Sequence, residues 1–100
     1  MEIEIASTKD LSPGEMIGIE RENKSILVAN VNGSYYAIGN SCTHMGCNIS
    51  DGILSGETVQ CPCHNSTFEL RTGAVINGPA KSPEPSYITR IDGDKILVVL

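Results

Sequence analysis

Residues 42–66 read CTHMGCNISDGILSGETVQCPCHNS, and the two ends of this stretch decide how the chain is built. One end is Cys42-Thr43-His44-Met45-Gly46-Cys47; the other is Cys61-Pro62-Cys63-His64-Asn65-Ser66. Cys42, His44, Cys61 and His64 thus carry the spacing C-x-H-x16-C-x2-H. Two thiolates with two imidazoles suit a soft or borderline metal rather than calcium or magnesium. Structural zinc draws on the same donors and on short spacings within each loop. The C-x-H pair is tighter than the usual zinc knuckle, however, and zinc gives Cys47, Cys63 and Ser66 no role. Two plain disulfides are a third reading. It fits poorly with an acidic chain whose start, Met1-Glu2-Ile3-Glu4-Ile5, lacks the basic and apolar stretches of a secretion signal.

Outward from this stretch the sequence alternates short strand patterns with turns. Strands are expected over 3–6, 15–20, 25–31, 34–38, 53–54, 57–60, 67–70, 74–76, 87–91 and 95–100. Asn32-Gly33 predicts a type I′ hairpin, because both central positions need positive φ. Asp92-Gly93-Asp94 separates the last two strands. No segment sustains a 3.6-residue apolar period, so helix is expected to be minor. Turns at this density predict an all-β chain, an antiparallel sandwich or barrel. The two Cys/His loops then interrupt the strands as outgrowths between Gly39 and Ser66.

The six-residue Cys/His pattern resembles the Rieske proteins, in which a 2Fe–2S cluster has two cysteines on one iron and two histidines on the other. Further positions extend the likeness from about residue 38 to residue 97. Gly78-Pro79-Ala80 resembles the proline loop that shields such clusters, and Ser66 and Phe68 fall where the family places side chains near the second loop. The stretch Phe68-Glu69-Leu70-Arg71-Thr72-Gly73 looks like the strand and turn of soluble Rieske-type ferredoxins. The resemblance implies a Rieske-like sandwich or barrel with a small cluster-binding subdomain. It implies one domain over residues 1–100, with cluster loops at about 39–50 and 60–68 and a proline loop at about 77–85.

By the same resemblance, Cys42 and Cys61 would bind one iron, and His44 and His64 the other, of a single 2Fe–2S cluster. Replacing two thiolates by neutral imidazoles brings the oxidised core from a charge of about −2 to about zero. An added electron then meets less repulsion, and the potential rises. Cys47 and Cys63 match the pair that forms a disulfide between the loops of high-potential Rieske proteins; two buried thiols are the alternative. Phe68 replaces the tyrosine whose hydroxyl donates to a ligand thiolate in that class. Ser66 keeps a hydroxyl that can reach a bridging sulfide. Asn65 stands where glycine is usual, a position that asparagine can hold in the left-handed region. Met45 and Pro79 are expected to exclude water near the cluster.

The chain has 100 residues, enough for one modest core but not for a separate catalytic domain. No apolar run reaches the ~20 residues that cross a bilayer, and the chain is expected to lack the anchor of membrane-bound Rieske subunits. Twelve acidic against seven basic residues, a net −5, do not suit nucleic acid and allow steering toward a basic partner. Equally, an acidic surface simply keeps a small protein soluble. The expected function is a cytoplasmic, monomeric one-electron carrier, not an enzyme, taking electrons from a reductase to an oxygenase or other redox enzyme. A non-catalytic small subunit of a reductase such as nitrite reductase is the second reading, and a structural zinc module for interactions the third.

Overall fold

The computed structural model describes residues 2–42, 46–63 and 65–100. Ten strands follow one another: β1 (Glu2–Ser7), β2 (Met16–Arg21), β3 (Lys24–Val31), β4 (Ser34–Gly39), β5 (Ile53–Ser55), β6 (Thr58–Gln60), β7 (Thr67–Glu69), β8 (Val75–Asn77), β9 (Ser86–Asp92) and β10 (Lys95–Val99). Each strand expected from the sequence is present, with its ends within one residue of those expected. Among the described residues helix is confined to two three-residue 3-10 turns, Thr8–Asp10 and Ile49–Asp51. The hairpin between β3 and β4 turns at Asn32 (φ 53°) and Gly33 (φ 91°), both positive as the Asn-Gly pair requires.

Six strands form one antiparallel sheet in the order β1-β10-β9-β4-β3-β2, and four form a smaller one in the order β5-β6-β7-β8. The large sheet curls on itself. Residues from both of its edges, Ile5 of β1 and Ile17 and Ile19 of β2, meet Ile26, Val28, Ala37, Ile96 and Val98 in one core. A second core lies between the outer face of β3–β4 and the small sheet, where Leu27, Ala29 and Ile38 pack on Val59, Phe68 and Leu70. Strand β3 therefore faces apolar side chains on both sides. Its run Ile26-Leu27-Val28-Ala29 is wholly buried, which explains why it is continuously apolar instead of alternating. Burying each of Ile26, Leu27 and Val28 stabilises the fold by about 1.5–3 kcal/mol before entropy is charged against it. Tyr36 adds a polar tie, its hydroxyl donating to Glu57 Oε2 at 3.0 Å from the barrel to the start of β6.

Candidate metal centre

Three loops meet at the free end of the small sheet. The first leaves β4 at Gly39 and is zipped as a short hairpin: Ser41 bridges Asn48, and the Cys42 N–H donates to the Cys47 carbonyl at 2.8 Å. The Gly46 N–H returns to the Cys42 carbonyl at 2.7 Å. The second loop joins β6 to β7, closed by a bond from the Cys61 N–H to the Ser66 carbonyl at 2.7 Å. Asn65 sits at φ 62°, the left-handed conformation that lets it stand where glycine is usual. The third loop follows β8, contains a cis Gly78-Pro79 bond, and donates the Ala80 N–H to Ser66 Oγ at 3.0 Å.

A disulfide between Cys47 and Cys63 joins the first two loops, with Cα atoms 6.3 Å apart. The other two cysteines, Cys42 and Cys61, are free thiols, and both are buried. They are mutual neighbours within hydrogen-bonding reach. Burial pushes the Cys61 thiol above its ordinary pKa; the Cys63 amide, which bonds to its sulfur, acts the other way. The adjacent Cys42 thiol and the Glu84 carboxylate add to the rise. A single negative sulfur is thus disfavoured here, and two together are more so. A cation bound between them reverses that balance, because metal coordination deprotonates thiols outright. The donor chemistry therefore fits a metal centre with two thiolate ligands.

His44, His64 and Met45 lie outside the described residues, so the imidazole half of the expected ligand set is carried by sequence alone. Among the described residues no three His, Cys, Asp or Glu side chains gather into a metal-binding group. Around the thiols the remaining candidates divide. Phe68 is fully buried in the same core as Cys42 and Cys61, and Ser66 is buried with its oxygen accepting from the Ala80 N–H. Pro79 is exposed; it is Ala80, next to it, that is buried.

Sequence reading missed two buried polar residues beside these loops. Glu84 is 4% exposed, its N–H donating to the Gly73 carbonyl at 2.8 Å. A carboxylate in Pro83-Glu84-Pro85 reads as a surface turn, and nothing local signals its burial. Asn40 is 3% exposed at the foot of the first loop, where a turn-forming residue attracts no notice.

The sequence profile of the Rieske [2Fe-2S] domain matches residues 1–90. The chain belongs to the Rieske family. Its Rieske relatives include the ferredoxin component of biphenyl 2,3-dioxygenase from Rhodococcus jostii (strain RHA1), 38% identical over 96 residues, which are 96% of this chain and 90% of that protein. The ferredoxin component of the naphthalene 1,2-dioxygenase system of Pseudomonas putida is 31% identical over 98 residues, covering 98% of this chain and 94% of that protein. The solved ferredoxin of carbazole 1,9a-dioxygenase from Nocardioides aromaticivorans IC177 superposes with a TM-score of 0.92 at 30% identity, over 98% of this chain and 96% of that one. The Rieske assignment accounts for what a zinc module left over: a disulfide and a buried serine placed around a free thiol pair.

Proposed function

We propose that this protein is a one-electron carrier that takes electrons from a reductase and delivers them to an oxygenase. The observation that carries this reading is the match to dioxygenase ferredoxin components along almost the full length of both partners, 96% of this chain and 90% of the biphenyl relative. The whole chain, residues 1–100, then acts as a single domain that turns over no substrate of its own. A monomer working in the cytoplasm is the corresponding setting; among the described residues no helix is long and apolar enough to cross a membrane.

In this reading Cys42 and Cys61 hold one iron and His44 and His64 the other. The cluster supplies reversible one-electron chemistry. The chain's own residues do the rest. The Cys47–Cys63 disulfide keeps the two loops from splaying, Ser66 supplies a hydroxyl donor while anchoring the proline loop, and Phe68 fills the floor without offering a proton. The three loops are also poor in charge. Segments 39–50 and 61–68 contain no Asp, Glu, Lys or Arg, and the third loop, 78–85, holds only the exposed Lys81 and the buried Glu84. Such a face fits a partner surface that is itself sparsely charged, so the net −5 is carried by the body behind it.

Mixing the chemically reduced protein with the oxygenase component of the R. jostii biphenyl system, followed by stopped-flow absorbance, tests the assignment. Reoxidation of one electron per chain with matching reduction of the oxygenase is expected. A centre that cannot be reversibly reduced, or a protein isolated only as a fixed subunit of a reductase, would replace this function with the second reading.

A further inference from the structure

The first Cys/His loop is fastened at its foot by a contact set that centres on Asn40. Every polar group of this residue is engaged. Its N–H donates to the Ser25 carbonyl at 2.9 Å, and its carbonyl accepts from the Ile49 N–H at 2.8 Å. Its side-chain oxygen accepts from the Ser50 N–H at 2.7 Å, and its amide nitrogen donates to Ser50 Oγ at 3.0 Å. The 3-10 turn Ile49–Asp51 has no side-chain cap from Asn48, the residue before it. Asn40 supplies that cap from ten residues away, satisfying an N–H that the turn itself leaves open. Three of these four bonds bring together the two ends of the hairpin that carries Cys42, and the fourth ties its foot to β3 at Ser25.

The clamp fits because β2 leaves room for it. Gly18 pairs with Leu27 in the sheet, and a Cβ at Gly18 would collide with Asn40 Nδ2 and lie 2.5 Å from Ser50 Oγ. Gly18 is not among the residues with positive φ, so its backbone asks for no glycine. Space is the reason. Ile49, next to the clamp, is fully buried in the core that holds Cys42 and Cys61. A displacement of Asn40 or Ser50 is therefore transmitted to the ligand loop through both the hydrogen bonds and the packing.

We propose that Asn40, Ser50 and Gly18 form a positioning clamp that sets the geometry of the cluster by fixing the foot of the Cys42 loop. The proposal rests on the reading of Cys42 as a cluster ligand. The clamp works at the opposite end of the loop from the Cys47–Cys63 disulfide, so the loop is tied at foot and tip independently.

The test uses the holoprotein and two readouts: the electron paramagnetic resonance line shape of the reduced centre and the rate of cluster loss in chelator at 25 °C. Asn40→Ala and Gly18→Ala should each change the line shape and speed cluster loss about tenfold, the rate equivalent of ~1.4 kcal/mol. Asn40→Asp keeps the acceptor for the Ser50 N–H and lets the Ser50 hydroxyl turn to donate, so it should restore most of the wild-type line shape. Ser50→Ala, which removes a single bond, should give a smaller effect in a protein that still folds. Ile96→Val, in the other core, controls for general destabilisation and should leave the line shape unchanged. Wild-type line shape and lifetime in Asn40→Ala, Gly18→Ala and Ser50→Ala, or effects no larger than in Ile96→Val, would overturn the clamp while leaving the carrier reading intact. Absence of a 2Fe–2S centre from the wild-type protein would instead overturn both.

Discussion

In the proposed site, Phe68 and Ser66 would act on the same centre in opposite senses. Phe68 packs beside Cys42 and Cys61 with no proton to offer, which leaves negative charge on the sulfurs less stabilised; Ser66 retains a donor. The balance places the potential in the lower half of the Rieske range of roughly −150 to +300 mV. Phe68→Tyr should raise it by about 40 mV, a hydrogen bond of ~1 kcal/mol expressed for a one-electron couple, and Ser66→Ala should lower it by a similar amount. Protein-film voltammetry measures both. No rise in a Phe68→Tyr protein that retains its cluster would mean the added hydroxyl does not reach a ligand sulfur. At this scale some positions were legible before the fold was known. Asn65 was expected in the left-handed region and stands there at φ 62°. Glu22 and Asn23, which turn β2 into β3 at φ 53° and 61°, carry no glycine to announce them. The burial of Glu84 and Asn40 depends on strands distant in sequence, which local propensity does not see.

The loops and strands have their own tests. The disulfide closes a separation of 16 residues, for which loop-closure entropy is worth roughly 3 kcal/mol. Cys47→Ala should therefore shorten the lifetime of the assembled cluster without preventing its assembly, since neither bridged cysteine is among the proposed ligands. Visible absorbance followed over time reads both; failure to assemble would make the bridge part of the site itself. At the opposite edge of the chain, Arg90 of β9 binds Glu2 of β1 through two bonds, 2.9 and 2.7 Å, reaching across β10. The Arg90 hydrogen bond holds the Glu2 carboxyl below its ordinary pKa. A lowered folded-state pKa adds stability above the unfolded value and loses it as pH falls through the folded one. Glu2→Gln should accordingly lower the melting temperature slightly at neutral pH. The difference should vanish once pH is well below the carboxylate range. A difference that persists in acid would assign the effect to packing instead. The strands themselves were readable because β-rich runs and turn residues are local signals. The two 3-10 turns and the bulge between Glu4 and Ala6 were not, since they answer to partners distant in the chain.

For the molecule as a whole, what the sequence could not supply was order. Sandwich and barrel remained open until the pairing of β1 with β10 and of β4 with β9 showed a single curled sheet. Pairings so far apart along the chain leave no local mark. The buried pair Cys42 and Cys61 and the bridge between Cys47 and Cys63 were more legible than the strand order that holds them, because spacing within each loop is itself local. The distribution of charge gives a test at this scale. With Lys81 the one exposed Asp, Glu, Lys or Arg side chain of the three loops, electron transfer to the oxygenase should change by less than about threefold between ~0.1 and ~1 M salt, as screening shortens from about 10 to about 3 Å. A fall of tenfold or more would make the acidic body the docking surface.

The most direct test of the central claim is a redox titration of the purified protein, with its iron and sulfide content, read by pulsed electron paramagnetic resonance for nitrogen couplings. The account predicts a 2Fe–2S centre that takes up one electron per chain and shows couplings from two histidine nitrogens, lost one at a time in His44→Cys and His64→Cys. A colourless protein holding a single zinc, or a reduced centre with no nitrogen coupling, would contradict it.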